Sequence, residues 1–423
     1  MTRRRAELGV ELVIAKICDL GLRIAPHKTE ALWFHKWPMG REPPRSQIIR
    51  VGDSNVQVSR CMKYLGLVLD GRWSFEEHFK LLVPRIEKAV GALHRLLPNL
   101  GGPREEIRRL YVGVVRSMAL YGAPVWSHRL TGTRRCKTKI LSLQRRVAIR
   151  MVRGYRTISF EAATLLASFP PLDILAERDA RDYDQTRALR QSGGSASYPA
   201  SVLEALRRQK QRRAHTTWYA RLRGDWYAHK RVVSAILPAF EAWIRRKRRV
   251  TFRLTQVLTG HGCFGEYLCR IGRETTAVCH HCGADQDDAQ HTLEACPAWT
   301  AERQVLVQQI GRNLSLRAVE SAWEAVVNFC ETVMVQKETA ERARERADPA
   351  RRRRPAGRLH SLQAPVPGAE SIGQSLRPWV REMGVSRIRF HTADRRTAVR
   401  YGPGLPMYAP ARGAGRARPC SPS

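Results

Sequence analysis

Cys279, Cys282, His291 and Cys296 bracket the stretch CHHCGADQDDAQHTLEAC and follow the pattern C-x2-C-x8-H-x4-C. Three thiolates and one imidazole complete a tetrahedral shell for Zn2+ and leave no position for a substrate, so the set reads as structural. Gly283, directly after the second cysteine, lets the chain turn tightly around a metal. A segment this short buries little apolar surface alone, and metal binding supplies its folding free energy. The full ligand count and the right-sized gaps set the pattern apart from a chance cluster. His280 and His281 lie between the first two cysteines and are expected to point outward, because four ligands already fill the shell. Zinc knuckles of this kind often grip nucleic acid.

Lys and Arg number 74 against 38 Asp and Glu, a formal net charge of +36. That excess is too large for an ordinary solvated surface. A polyanion accounts for it, with binding weakened by salt; an anionic membrane surface is the alternative. No apolar run reaches the roughly eighteen residues needed to cross a bilayer, and the start MTRRRAELGV lacks the apolar core of a signal peptide. Of the 10 cysteines, three belong to the motif, while Cys18, Cys61, Cys136, Cys263, Cys269, Cys330 and Cys420 are scattered. This is no disulfide framework, and a reducing compartment fits it.

Helical periodicity runs over 6–22 through Leu8, Leu12, Ile14, Ile17 and Leu20, stopped by Gly21. A strand pair is expected at Ser46–Val51 and Val56–Ser59 around Gly52-Asp53, then one buried strand over Tyr64–Asp70. From Phe75 the period becomes helical: Phe79, Leu82, Ile86, Val90, Leu93 and Leu97 form one stripe, closed by Pro98. A second helix begins near Pro103 and is expected to bury Ile107, Leu110, Tyr111, Val114, Val115 and Met118. A third spans about Lys137–Val152, and a fourth follows Pro170-Pro171 from Leu172 to Leu189. A turn-rich linker at 191–200 leads into basic helices over 201–247. Beyond the zinc motif, helices are expected over Ala301–Ile310 and from Ala318 to Arg346. From Ala347 the composition turns to Arg, Pro, Gly and Ser without periodicity, which predicts disorder.

The runs LGLRIAPHKTEALWF and CMKYLGLVLDGRWSFEEHF resemble the end of the palm of a non-LTR retrotransposon reverse transcriptase, and LYVGVVRSMALYGAPVW resembles its thumb. YRTISFEAATLLASFPPLDILAERDAR and FRLTQVLTGHGCFGEYLCRIGR look like the linker of the type-1 elements that insert into arthropod ribosomal DNA. The CCHC motif followed by Pro297-Ala298-Trp299 resembles their C-terminal module. The resemblance covers about 8–330 and implies a mainly α fold. It divides the chain into a small α/β remnant ending a polymerase palm (1–72), thumb helices (73–155), a basic helical linker (156–260), a zinc-knuckle region (261–330) and a basic helix with a disordered tail (331–423). With its partner strands missing, 1–70 is expected to fold poorly in isolation.

The activity implied is RNA-directed DNA polymerisation, in a polyprotein that also nicks target DNA with an endonuclease and works in the nucleus after cytoplasmic synthesis. The chemistry is two-metal phosphoryl transfer on Mg2+ held by carboxylates. Here the chain departs from the pattern: its only Asp-Asp pair, Asp287-Asp288, lies inside the zinc motif. It looks like the C-terminal portion of a larger protein, inactive alone, whose partners are element RNA, target DNA and the missing N-terminal part; no membrane is expected.

Lys28 falls where such enzymes place a basic residue beside the incoming nucleotide, against the plainer reading of a solvated lysine. Tyr64, Leu65 and Gly66 match the primer-grip hairpin, against that of a bulged core strand. Arg145, Arg146 and Arg150, with Arg153, are placed to follow a template–primer backbone, or simply face solvent. Arg245, Arg246, Lys247, Arg248 and Arg249 suit phosphate contact or nuclear import equally. Trp218, Tyr219, Trp226 and Tyr227 interleave with Arg221 and Arg223; their spacing favours one buried helix face over base stacking. Two further readings stand beside the enzyme fragment: a non-enzymatic zinc-knuckle RNA/DNA-binding protein, and a zinc-stapled protein-interaction module.

Overall fold

The computed structural model describes residues 2–36, 47–132, 134–192, 200–228, 230–246, 250–314 and 323–348. The turn-rich linker, Lys247, Arg248, Arg249 and the basic tail, Arg351–Arg354 included, lie wholly or largely outside the described residues.

Helix α1 (Thr2–Asp19) precedes five short strands: β1 (Ala31–Leu32), β2 (Ile48–Val51), β3 (Ser54–Ser59), β4 (Cys61–Tyr64) and β5 (Leu67–Asp70). β3 is central in its sheet, parallel to β1 and antiparallel to β2, with Ile49 opposite Val56 across the Gly52-Asp53 turn. α1 lies on β2 but leaves Leu8 and Leu12 exposed, and Leu20, just past its end, is exposed too. The single strand expected over Tyr64–Asp70 is instead a hairpin, with β4 and β5 antiparallel around Leu65-Gly66. Both turn residues have positive φ, +46° and +82°, as a tight two-residue hairpin requires. Leucine is a poor signal for such a turn, so the break was hidden.

Asp70 joins the strands to the helices. Its carboxylate accepts from the backbone N–H groups of Arg72, Ser74 and Phe75, the last at 2.6 Å. Those bonds fix the turn before α2 (Glu76–Leu96), all of whose expected stripe is buried. α3 (Glu105–Leu120), α4 (Ala123–Gly132) and α5 (Arg134–Met151) pack around it. At their centre the fully buried Trp126 meets Phe79 edge-on at 5.2 Å and donates its indole N–H to the Tyr121 carbonyl.

The expected face of α3 is corrected. Ile107 and Leu110 are 45% and 62% exposed, while Arg108, Val112, Val115, Met118 and Ala119 turn inward. Arg108 is the reason. Its guanidinium donates to the carbonyls of Pro98, Gly101, Pro103 and Arg150, satisfying the loop between α2 and α3 and the end of α5.

α6 (Phe160–Leu166), capped by Ser159, leads to α7 (Leu172–Ser192). The buried amide of Gln144 pins the Pro170-Pro171 break, donating to the Phe169 and Pro170 carbonyls and accepting from Leu172 N–H. α8 (Ala200–Leu222) is held to α7 by Arg221, which grips buried Asp173 with both nitrogens at 3.0 and 2.8 Å. There follow α9 (Asp225–Ala228), α10 (Arg231–Ile236), α11 (Phe240–Arg246), α12 (Phe252–Thr259), α13 (Gly265–Arg270), α14 (Thr300–Ile310) and α15 (Trp323–Ala347). The architecture is mostly helical with a small sheet region, and no helix among the described residues is long and apolar enough to cross a membrane.

Trp218 and Trp243 are core residues, but Trp226 is 79% exposed. The helix carrying Trp218 stops at Leu222, so Trp226 begins a new element and does not continue its face.

Arg108→Met leaves several enclosed carbonyls unpaired and is expected to destabilise the chain by roughly 3 kcal/mol in urea denaturation; a change below about 0.5 kcal/mol would contradict this role. Burial holds the His78 and His94 imidazoles down to about 4 from an ordinary 6.5. Both are neutral in the folded chain, whereas the unfolded chain takes up protons as pH falls through 6.5. Their contribution is therefore complete above pH 6.5 and drains away as pH falls toward 4. Melting temperature should drop across that window, and His94→Leu should flatten the drop.

Candidate metal centre

The four ligands of the C-x2-C-x8-H-x4-C motif converge. One donor atom from each of Cys279, Cys282, His291 and Cys296 lies within 4.8 Å of the other three. The Cys279 and Cys296 sulfurs are 3.9 Å apart, and Cys282 Sγ is 3.3 Å from His291 Nε2. Tetrahedral zinc separates its sulfur and nitrogen ligands by roughly 3.5–3.8 Å. The set therefore fits a metal such as zinc, held by these four side chains.

Local backbone geometry produces the convergence. Cys279 N–H donates to Ala284 and Gly283 N–H to Cys279, a turn that Gly283 permits with φ +78°. His291 opens a π-type turn, His291–Ala295, and Cys296 N–H closes it on the His291 carbonyl at 2.7 Å. In that wide turn residues five apart fall on one side, which brings His291 and Cys296 together. Arg303 on α14 secures this half, donating to the Leu293 and Cys296 carbonyls at 2.9 and 2.6 Å. Burial pushes the Cys279 thiol up and the Cys296 thiol to about 12, so both are neutral unless a cation offsets their charge.

His280 is exposed and bonds Glu274 at 3.1 Å, whereas His281 turns back to Trp299, ring centroids 4.8 Å apart. His261 and Cys263 stay out of the cluster: His261 bonds Thr157 at 2.8 Å and stacks on Tyr267.

The centre is built into a larger unit through Asp287, which is only 3% exposed. Its carboxylate receives Gly265 N–H at 2.9 Å and the Lys337 ammonium at 2.7 and 2.8 Å. Lys337, 1% exposed, comes from α15 and also sits over the Phe264 ring. Around this pair Arg253 bridges Glu331 and Glu338, Gln256 bonds Glu338 and Arg273 pairs with Glu345. Residue 330, set above as the limit of the zinc region, lies within α15.

Ligand spacing alone does not mark Asp287 and Lys337. A signal was present, for Val326, Cys330, Val333, Lys337 and Glu341 form one helical stripe on which a lysine has no apolar reason to stand. Asp288 is committed too, accepting His291 N–H, so the only Asp-Asp pair of the sequence is structural.

The remaining site residues lie on separate elements. Lys28 is exposed in a single 3-10 turn, Pro26–Lys28. Tyr64 and Leu65, 56% and 74% exposed, project from the β4–β5 turn, whose Leu65 carbonyl accepts from Tyr121 Oη at 2.7 Å. A side chain at Gly66 would stand 3.0 Å from the Tyr121 ring. Arg145 donates to the Ile158 and Arg156 carbonyls, Arg150 to Asn99, and Arg153 to Asn99, Gly101 and Pro103. Among the described residues Arg146 pairs with Glu87, at 3.5 Å. Arg245 is exposed on α11, and Arg246 closes that helix.

The chain is 26% identical over 307 residues, 69% of its length, to a putative 115 kDa protein in type-1 retrotransposable element R1DM of Drosophila melanogaster, of which it spans 30%. It is 25% identical over 320 residues to a retrovirus-related Pol polyprotein from type-1 retrotransposable element R1 4 of Nasonia vitripennis, covering 72% of this chain and 79% of that one. A Pol polyprotein from element R1 of Bradysia coprophila is 27% identical over 264 residues, 60% of this chain and 26% of its own length. No family model and no solved structure matches.

Lys337→Met strands the Asp287 carboxylate and is expected to destabilise the chain by about 3–5 kcal/mol. Pairing it with Asp287→Asn should recover a large part of that loss. Chemical denaturation of the two single variants and the double variant checks this; strictly additive losses would rule out the coupling.

Proposed function

We propose that this relative of type-1 retrotransposon Pol polyproteins forms the nucleic-acid-holding part of such a polyprotein: palm end, thumb, basic linker and zinc-stapled module. The relationship over 60–72% of the chain carries the reading. It is supported by the convergent cysteine–histidine set, the exposed Tyr64-Leu65 tip and the net charge of +36.

In this reading the parent protein is an RNA-directed DNA polymerase with an endonuclease, acting in the nucleus on genomic DNA. The chain's own residues bind and orient. The Tyr64-Leu65-Gly66 hairpin holds a primer end with its exposed Tyr64 and Leu65, while Gly66 makes room for the Tyr121 ring that fixes the tip. Lys28 offsets negative charge at the nucleotide, and the outward cations, Arg146 and Arg245 among them, contact phosphates. Cys279, Cys282, His291 and Cys296 would hold zinc, which would cross-link the two halves of their loop. Mg2+ supplies the polymerase chemistry when bound, and its carboxylate ligands belong to other segments of the polyprotein, because Asp287 and Asp288 are both committed internally.

Anisotropy titration of the full chain with a labelled RNA–DNA primer–template tests this. Affinity is expected to fall by about 10³ or more between roughly 50 and 200 mM salt. No binding at the lower salt would sink the proposal. The same chain should incorporate no dNTP with Mg2+; incorporation would overturn the assignment of the carboxylates elsewhere.

A further inference from the structure

We propose that the strip running along α8 onto α9, from Arg212 to Trp226, is a stacking platform for single-stranded nucleic acid. This rests on the nucleic-acid reading above and adds where unpaired bases would sit.

Arg208, Arg212, Thr216, Tyr219 and Arg223 succeed one another at spacings of four, four, three and four, and so form a single ridge. All are exposed except the half-buried Tyr219. α8 ends at Leu222, and Gly224 N–H folds back onto the Arg221 carbonyl. The new start at Asp225 lifts Trp226 outward, where it is 79% exposed, the most open large apolar side chain among the described residues. Trp218 and Trp243 show what the fold does with an indole that it needs for packing: they are 1% and 4% exposed.

Cations alternate with these rings. The Arg223 guanidinium lies 5.9 Å from the Tyr219 centroid. Lys230 Nζ lies 5.9 Å from the Trp226 centroid and 4.9 Å from that of Tyr227, and Glu161 steadies it at 3.5 Å. Among the described residues neither Arg212 nor Arg223 pairs with a carboxylate. An open indole wastes apolar surface in a folded chain, but it offers a flat face to a base while nearby cations take the phosphates. Duplexes keep their base faces stacked internally, so the arrangement selects single strands.

The test compares wild type, Trp226→Ala, Trp226→Phe and Arg223→Ala in the full chain. Each is titrated with a labelled single strand of about twelve nucleotides and with a duplex, across a salt series. Trp226→Ala should bind the single strand about tenfold more weakly, with the salt slope and duplex affinity unchanged, and Trp226→Phe should retain most of the binding. Arg223→Ala should lower the slope by about 0.7 per lost phosphate contact. Unchanged single-strand affinity in a normally folded Trp226→Ala protein overturns the platform; lost self-association at unchanged affinity would make the patch a protein contact and overturn it too. A wild-type chain that binds neither probe removes the broader proposal first, which separates the two failures.

Discussion

A carboxylate enclosed among metal-ligating residues must be matched by a cation, and the match here comes from 50 positions downstream. Asp287 holds Gly265 N–H on one side and Lys337 on the other, so the loop carrying four ligands is closed by a helix that contributes none. An ion pair this deeply buried is a weak source of net stability, because desolvation offsets much of the attraction. Its effect is on choice: an apolar residue at 337 would leave Asp287 charged and alone, so α15 docks in this register. The loop carrying the cysteine–histidine set is thus one corner of a helical unit that includes α12 and α15.

The positive charge divides in two. Arg108, Arg145, Arg153 and Arg303 donate to backbone carbonyls at loop and helix ends, and Arg221 and Arg253 neutralise acids between helices. Guanidinium suits this work because its fixed fork of donors reaches several acceptors at once. A net charge of +36 therefore overstates the cationic surface. The arginines of α5 illustrate it: Arg145 and Arg150 reach carbonyl or amide oxygens, and Arg146 is the one directed at a distant, half-exposed glutamate. On α8, by contrast, Arg207, Arg212 and Arg213 stand exposed.

Local rules made much of this legible. The stripe from Phe79 to Leu97 is buried because its period is that of a helix against one layer, and Gly52-Asp53 marked a hairpin because glycine takes positive φ readily. The convergence of Cys279, Cys282, His291 and Cys296 was legible because a metal shell fixes residue type and spacing together. The misses share a cause: a residue whose local signal was overruled from a distance. Arg108 took an inward place on α3, beside Val115 and Met118 that were expected there, to reach carbonyls on two other segments. Leu65 accepted a positive φ with Tyr121 holding its carbonyl. Lys337 entered a core because Asp287 was already there. Trp226 is the exception, exposed for a local reason: a helix ended four residues earlier.

The Tyr121 bond has a mechanical consequence. Tyr121 sits where α3 gives way to α4, and its own carbonyl accepts from Trp126 at the centre of the helical layer. Its hydroxyl holds the tip of a hairpin whose other end is tied to the first turn of α2, through Asp70 and through Val68 N–H on His78. The tip is thus fixed to the helices at both ends of the hairpin, while its side chains stay in solvent. A leucine at φ +46° and 74% exposure is strained in backbone and unrewarded in burial, a combination that folding alone does not favour. Whatever meets the tip is therefore placed by the same helices that enclose Trp126.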